Sequence, residues 1–143
     1  MSISIYTDGA CSGNPGIGGW GAVIIIKNEN PIYLNGGSDY TTNNKMELTA
    51  AIKSLQYFTE SKNIIIFTDS KYVMNGIESW IDNWKKNGWK TANKKKVKNQ
   101  ELWEKLDSEI SKHTIKWKWI KGHTGNEFNE KADCLARKFI EKY

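Results

Sequence analysis

Two apolar runs of this chain each end at an aspartate, and this repeated ending is the feature that most constrains the fold. Residues 3–8 alternate apolar and polar side chains and end at Asp8, whereas Asn63–Thr68 is almost continuously apolar and is followed by Asp69. Such runs predict β-strands, the second buried in the middle of a sheet. If the strands are neighbours, their ends bring both aspartates together, at the edge where open α/β sheets place their sites.

Two further acidic residues lie in helical patterns. Glu47 is in the first turn of a helix predicted to begin at Asn44, and Asp133 lies among small and apolar residues of the C-terminal helical pattern. Carboxylates gathered in one place repel each other unless a cation is present, and hard oxygen ligands suit Mg²⁺ or Mn²⁺. The sequence therefore predicts a metal-dependent enzyme whose ligands are Asp8, Glu47, Asp69 and Asp133.

Each acid also has a purely structural interpretation, which is favoured when that acid is considered alone. These interpretations are less convincing when the four acids are considered together. Asp8 and Asp69 occupy equivalent strand ends, and Asp133 shares with Ala136 and Ile140 a helical line that faces the protein. The structural alternatives are a turn at Asp8-Gly9, a capping box from Asn44 to Glu47, a helix N-cap at Asp69 and an ion pair between Asp133 and Arg137.

Size and composition restrict the class of protein. The 143 residues suit one domain, and the net charge of +5 with a pI near 9.1 favours a polyanionic partner. Cys11 and Cys134 are too isolated for a disulfide scaffold or, with two histidines, for a closed zinc site. With no leader peptide or long apolar stretch, we expect a cytoplasmic protein that makes no membrane contact.

The order of elements predicts a mixed α/β sheet with helices on both faces. A tight, exposed loop is expected from Cys11 to Gly19, and a lysine-rich loop at 89–98. The predicted strands are 3–8, Trp20–Lys27, Ile32–Ser38, Asn63–Thr68 and Thr114–Ile120. The first predicted helix begins at Asn44, and three more span Ser70–Gly76, Ser79–Lys86 and 99–111. A last helix is predicted after the loop Lys121–Asn126.

Two segments lie outside this frame. His123 stands in a loop flanked by glycines and is either a surface histidine or a mobile proton carrier, since its ordinary pKa of about 6.5 suits proton transfer. The segment 80–98 has seven lysines and no acid after residue 84, which fits a phosphate backbone, although Trp80 and Trp84 at i, i+4 are first of all packing residues. The lysines are Lys85, Lys86, Lys90, Lys94, Lys95, Lys96 and Lys98.

Longer strings of the sequence resemble bacterial ribonuclease HI, a type 1 ribonuclease H, in order and over essentially the whole chain. These strings are Tyr6-Thr7-Asp8-Gly9-Ala10-Cys11-Ser12-Gly13-Asn14-Pro15-Gly16, Thr42-Asn43-Asn44-Lys45-Met46-Glu47-Leu48, Phe67-Thr68-Asp69-Ser70, Lys121-Gly122-His123-Thr124-Gly125 and Asn129-Glu130-Lys131-Ala132-Asp133.

The resemblance implies a ribonuclease H-like fold with a five-stranded mixed sheet, three strands antiparallel and the others parallel. It implies a monomeric endonuclease that hydrolyses the RNA strand of RNA/DNA hybrids and leaves 5′-phosphate and 3′-hydroxyl ends. The four acids would hold two Mg²⁺ ions, replaceable by Mn²⁺, one for the attacking water and one for the leaving oxygen. His123 would assist proton transfer or product release.

The same resemblance assigns the substrate contacts. Gly9, Cys11, Asn14 and Asn43 would line the minor groove and test for 2′-hydroxyls. Thr42 and Asn99 would bind a phosphate of the DNA strand. Trp80 and the lysines of the basic protrusion (about residues 80–98), among them Lys85, Lys86, Lys95 and Lys96, would steady that strand.

Two residues depart from the family pattern. Lys71 stands where relatives often have Gln, so that a groove hydrogen bond becomes a phosphate contact, and Ile25 stands where a basic residue is common. Neither touches the acids, so we expect an active enzyme. The alternatives are a hybrid-binding module of the same fold without catalysis and a nuclease directed at DNA; the first would lack one of the acids, and the second has no use for Cys11, Asn14 and Asn43.

Overall fold

The computed structural model describes residues 2–91, 94–122 and 125–142 and contains five strands and five α-helices in those ranges. The strands are β1 (Ile3–Cys11), β2 (Gly16–Ile26), β3 (Ile32–Thr41), β4 (Asn63–Thr68) and β5 (Thr114–Trp119). The helices are α1 (Asn43–Gln56), α2 (Lys71–Asn75), α3 (Ile81–Lys86), α4 (Gln100–Ser111) and α5 (Glu127–Glu141).

The strands form one mixed sheet in the order β3-β2-β1-β4-β5. The first three are antiparallel neighbours, whereas β1, β4 and β5 run parallel. The pairing of β1 with β4 ends at Thr7 opposite Thr68, so Asp8 and Asp69 are the next residues on adjacent parallel strands. The prediction of a five-stranded mixed sheet with converging aspartates is confirmed.

Helices cover both faces of this sheet because successive residues of each strand alternate between two cores. Ile5 of β1 and Ile24 of β2 belong to the larger core, which includes buried side chains of α1 and α4. Val23 points the other way and packs with Ala132 and Leu135 of α5. No helix in the described part of the chain combines the length and apolar content needed to cross a membrane.

The predicted loop from Cys11 to Gly19 is wrong in extent. Strand β1 continues to Cys11 and β2 begins at Gly16, so that Cys11 pairs with Gly18 and the turn shrinks to residues 12–15. Gly19, one of the glycines that indicated a loop, is needed for packing instead. A Cβ atom on Gly19 would collide with the carbonyl oxygen of Ala136, so α5 can lie directly on the strand only where side chains are missing.

The two predicted helices at Ser70–Gly76 and Ser79–Lys86 are in fact joined. A π-helical turn, Gly76–Trp80, continues α2 into α3 without a break. Gly76 is buried, and a Cβ atom there would collide with the ring of Trp103. The glycine therefore marks close contact between helices rather than a helix end. The remaining predicted elements agree with the structure to within a few residues at their ends.

Candidate active site

Three acids reach one point from three different elements. Asp8 is on β1, Asp69 directly follows β4, and Glu47 is on α1. Helix α1 begins earlier than predicted, since the Thr42 hydroxyl oxygen accepts the Lys45 N–H at 3.2 Å as its N-cap. Glu47 therefore lies in the second turn, where a capping box from Asn44 is impossible, and its side chain is free to face the strands.

The three carboxyl groups form a compact, largely buried cluster. One ligand oxygen from each of Asp8, Glu47 and Asp69 lies within 4.8 Å of the others. Asp8 is 6 % exposed and Glu47 5 %. They open into a cavity of about 380 Å³, whose lining also includes Asp133 and Lys71. The structure thus joins three of the four predicted ligands and places the fourth in the same cavity.

Crowding of these acids changes their ionisation. Burial, and then the charge of Asp69, raises the pKa of Asp8 to about 8. Burial, and then the charge of Asp8, raises the pKa of Glu47 well above its ordinary value. Because the pKa of both groups is raised, we expect the Asp8–Glu47 pair to share a retained proton near neutral pH when no cation is bound. Near neutral pH this pair does not carry its full negative charge without a compensating cation.

The donor set fits a divalent cation. Oε1 of Glu47 is buried and has no hydrogen-bond partner among the described residues. An unsatisfied buried carboxyl oxygen is costly, and here it belongs to a residue clustered with two other carboxyl groups. Buried oxygen ligands from several acids are the surroundings that hard cations such as Mg²⁺ and Mn²⁺ prefer. Asp8, Glu47, Asp69 and Asp133 are the residues that would hold such ions.

The structural alternatives for Asp8 and Asp69 are wrong. Asp8 and Gly9 lie within β1 rather than in a turn. The N-cap of α2 is Ser70, whose hydroxyl oxygen accepts the Val73 N–H at 3.1 Å. Since Ser70 satisfies the helix end, the Asp69 side chain is available to the cluster. The alternative for Asp133 is present: Nε of Arg137 donates to its Oδ2 at 3.0 Å.

Three residues around Asp69 were missed by sequence reasoning. Nδ2 of Asn129 donates to Oδ2 of Asp69 at 3.5 Å, and the indole N–H of Trp119 donates to its carbonyl oxygen at 3.2 Å. A Cβ atom on Gly122 would lie 2.7 Å from the same Oδ2. One signal was available, because Asn129 stands one helical turn before Asp133 and shares its face.

The predicted groove residues come together at the start of α1. Oδ1 of Asn14 accepts the Asn43 N–H at 2.9 Å, which ties the turn after β1 to the helix. The Cys11 thiol donates to the Thr41 carbonyl at 3.4 Å. Gly9 packs against the backbone of α1, where a Cβ atom would lie 2.6 Å from the Glu47 nitrogen. Both cysteines are free.

The residues predicted to contact the DNA strand of a substrate form another group. Nδ2 of Asn99 and the indole N–H of Trp103 both donate to the hydroxyl of Tyr72, at 3.1 and 3.0 Å. Tyr72 also lines the acid cavity and so connects it with Asn99. Trp80 packs against Tyr72 with ring centroids 5.6 Å apart, which confirms its packing role.

The lysines of the basic protrusion are exposed where the structure describes them. Among those predicted to contact the substrate, Lys85 is paired with Asp107, with Nζ 3.3 Å from Oδ2. Lys86, Lys95 and Lys96 carry none of the ion pairs found in the described ranges. His123, the predicted proton carrier, lies outside the described residues.

Comparison with known proteins places this arrangement in a family. The sequence model of the RNase H family matches residues 1–141. The chain is 57 % identical to the ribonuclease H of Bartonella bacilliformis over 99 % of its own length and 90 % of that protein, and 59 % identical to the ribonuclease H of Francisella tularensis subsp. novicida over 96 % and 90 %.

Solved structures agree. LC9-RNase H1, described as a type 1 RNase H with the type 2 active-site motif, superimposes with a TM-score of 0.85 at 27 % identity over 95 % of this chain and 70 % of that one. The RNase H1 of Halobacterium salinarum shares the fold, with a TM-score of 0.74 at 21 % identity over the full length of both chains. The chain belongs to the ribonuclease H family and is a nuclease by that membership.

Proposed function

We propose that this protein is an endonuclease that hydrolyses the RNA strand of RNA/DNA hybrids and leaves 5′-phosphate and 3′-hydroxyl ends. The observation that carries the proposal is the largely buried cluster of Asp8, Glu47 and Asp69, together with the hydrogen bonds that hold Cys11, Asn14 and Asn43 around the start of α1. Family membership supports the reaction class. A relative of the same fold, LC11-RNase H1, was solved in complex with an RNA/DNA hybrid (TM-score 0.74, 24 % identity, covering 99 % of this chain and 98 % of that one).

In this proposal Asp8, Glu47, Asp69 and Asp133 hold two divalent ions, Mg²⁺ with Mn²⁺ as a substitute. When bound, the ions supply positive charge and Lewis acidity for an in-line displacement at phosphorus. The acids themselves set the conditions for loading: the Asp8–Glu47 pair must give up its shared proton, so loading releases protons and tightens as the pH rises. Asn129 holds the Asp69 carboxylate by a hydrogen bond, and the missing side chain of Gly122 leaves room for it.

The groove residues account for the choice of strand. The side-chain amides of Asn14 and Asn43 and the thiol of Cys11 can meet 2′-hydroxyls of the strand that lies over the acids, and this contact separates RNA from DNA. Gly9 lets that strand and α1 approach β1 closely. The hydroxyl of Thr42 still has its hydrogen to donate after accepting from Lys45, so it and Asn99 are suited to a phosphate of the other strand.

The basic protrusion, residues 80–98, extends the contact along the DNA strand as part of one catalytic domain. Trp80 supports it from within, while Lys85, Lys86, Lys95 and Lys96 supply positive charge to phosphates. Lys71, which lines the acid cavity, supplies positive charge to a phosphate there. His123 stays a predicted proton carrier for the reaction or for product release. The two free cysteines fit a reducing compartment, and we propose a monomer that acts in the cytoplasm.

The proposal is tested by incubating an end-labelled RNA/DNA hybrid with Mg²⁺ beside RNA/RNA and DNA/DNA duplexes, for the native chain and for Asp69→Asn. We expect cleavage of the hybrid alone, into 3′-hydroxyl fragments, and its loss in the variant. Cleavage of DNA/DNA would overturn the strand assignment. Binding of the hybrid without cleavage by the native chain would instead identify a binding module of the same fold.

A further inference from the structure

An exposed tryptophan at the edge of the acid cavity has no role in the site as described so far. Trp119 is the last residue of β5 and is 43 % exposed. Its indole N–H donates to the Asp69 carbonyl at 3.2 Å, which fixes the ring beside the cluster. The face of the ring carries the ammonium group of Lys71, with Nζ 5.7 Å from the ring centroid. Aromatic faces attract cations at this separation.

The position of Lys71 over an aromatic ring requires an explanation, because carboxylates, which attract an ammonium group more strongly, line the same cavity. Lys71 lines the cavity that contains Asp8, Glu47, Asp69 and Asp133, and an ammonium group is drawn to carboxylates more strongly than to a ring. Yet Lys71 takes part in none of the ion pairs found in the described ranges. The Trp119 ring offers it a position at the rim, where it does not occupy the space between the acids.

We propose that Trp119 is a positioning residue that holds Lys71 at the rim of the acid cavity, where its ammonium group binds a phosphate of the strand being cut. This inference rests on the proposed function, since the cleaved strand must cross the acid cavity and Lys71 lines that cavity. A lysine presents a compact point charge rather than a planar fork, so its contribution depends on where the ammonium group is held. Trp119 supplies that placement without adding charge.

A lysine on the same strand provides a matched control. Lys118 precedes Trp119 on β5, is exposed, and also lies over an aromatic ring, with Nζ 6.0 Å from the centroid of Phe67. Adjacent residues of a strand face opposite sides of the sheet, so Lys118 points away from the face of Trp119. Lys118→Gln therefore removes the same charge and the same type of contact without touching the cavity rim.

The experiment compares native protein, Lys71→Gln, Lys118→Gln, Trp119→Leu, Trp119→Phe and the double variant Lys71→Gln/Trp119→Leu. Hybrid affinity is measured by fluorescence anisotropy at several salt concentrations without divalent ions, and KM and kcat are measured with Mg²⁺. For Lys71→Gln we expect affinity to fall about three- to tenfold and the salt slope to decrease by about one, as for the loss of one phosphate contact. KM should rise while kcat stays within about twofold.

Trp119→Leu should change affinity and salt slope in the same direction but less. Trp119→Phe keeps an aromatic face, although a smaller one without the indole N–H, and should recover part of the loss. In the double variant the leucine should add nothing to Lys71→Gln. The inference is overturned if Lys71→Gln behaves like Lys118→Gln, or if Trp119→Leu weakens binding equally with and without Lys71. The latter result would mean that the ring acts on the nucleotide or on Asp69 directly.

The two levels of the proposal fail separately. If the native protein cleaves hybrids and the salt slopes of native protein and Lys71→Gln coincide, only the role of Trp119 and Lys71 is lost. If the native protein cleaves no hybrid, the proposed function is lost, while the binding measurements without divalent ions still report on the pair. Thermal unfolding of each variant, followed by circular dichroism, verifies that changes in binding do not reflect loss of the fold.

Discussion

Arg137 and Asp133 lie one turn apart on α5, and Nε of Arg137 donates to Oδ2 of Asp133 at 3.0 Å. Asp133, the fourth acid of the cavity, therefore already has a positive partner, unlike the buried pair Asp8 and Glu47. Arg137 is the only arginine of the chain, and its side chain is 55 % exposed. Solvent thus screens the pair, which limits how strongly Arg137 competes with a cation for Asp133.

Replacing Arg137 by Gln should tighten binding of divalent ions modestly, because it removes this competitor. An exposed pair contributes about 1 kcal/mol at most, so we expect an increase in Mg²⁺ affinity of no more than roughly fivefold, measured by isothermal titration calorimetry. Arg137→Lys keeps the charge, and its Mg²⁺ affinity should lie between those of native protein and Arg137→Gln. Weaker Mg²⁺ binding by Arg137→Gln would show that the arginine orients Asp133 for the ion.

The metal-free protein should lose stability as the pH rises. The pKa of Asp8 is raised to about 8 in the folded protein, against about 3.9 in an unfolded chain. The folded state therefore binds more protons between these values, and the free energy of unfolding falls as the pH rises from about 4 to about 8. Glu47, whose pKa is also raised, acts in the same direction.

Glu47→Gln tests this dependence, because its amide needs no proton and cannot repel Asp8. The melting temperature of the variant should exceed that of native protein by roughly 3 °C or more at pH 8, about 1 kcal/mol for a chain of this size, with a smaller difference at pH 5. Added Mg²⁺ should stabilise native protein far more than the variant. A difference that does not change with pH would contradict the shared-proton interpretation.

Tyr72→Phe should destabilise the protein and weaken hybrid binding together. The Tyr72 hydroxyl accepts from the buried indole of Trp103 and from Asn99, and its removal leaves a buried N–H without a partner. We expect a loss of about 1–3 kcal/mol in the free energy of unfolding, measured by urea denaturation. Tyr57→Phe, at an exposed tyrosine, is the control. An unchanged hybrid affinity would separate Asn99 from the substrate.

The lysines of the basic protrusion should differ in their contribution to binding. Lys85 is paired with Asp107, so its charge is partly compensated, whereas Lys86 is exposed and has no ion pair in the described ranges. Lys86→Gln should lower the slope of log affinity against log salt by about one, and Lys85→Gln by less. In a protein that carries Asp107→Asn, Lys85→Gln should lower the salt slope by nearly as much as Lys86→Gln does. Equal slopes for all variants would place both lysines outside the interface.

The convergence of Asp8 and Asp69 could be predicted from the periodicity of two apolar runs once their strands were taken to be neighbours. Asp8 and Asp69 each follow an apolar run, and parallel neighbouring strands must bring such residues together. The exact start of α1 could not be predicted, since Thr42 and Asn44 are both good N-caps, and in the structure Thr42 is the cap. That choice of cap sets Glu47 in the second turn.

Residues whose role depends on contacts distant in sequence could not be identified from the sequence. Trp119 lies on a strand at the edge of the sheet where apolar residues alternate with lysines, and alternation there does not reveal that its indole reaches Asp69. The glycines of β2 resemble those of a loop until α5 is known to lie on them. Both interpretations of Asp133 hold, since it lines the acid cavity and also forms an ion pair with Arg137.

The π-helical turn Gly76–Trp80 has a consequence for how the chain can vary. Such a turn holds one residue more than α-helical winding would, and each residue of an α-helix rotates the following ones by about 100°. Deleting a single residue between Gly76 and Trp80 would therefore remove this extra residue and restore α-helical winding, leaving α3 and the basic protrusion on the same side of the molecule. The direction of the basic protrusion can thus survive the loss of one residue at this turn, whereas the same loss within α2 or α3 would rotate it by about 100°.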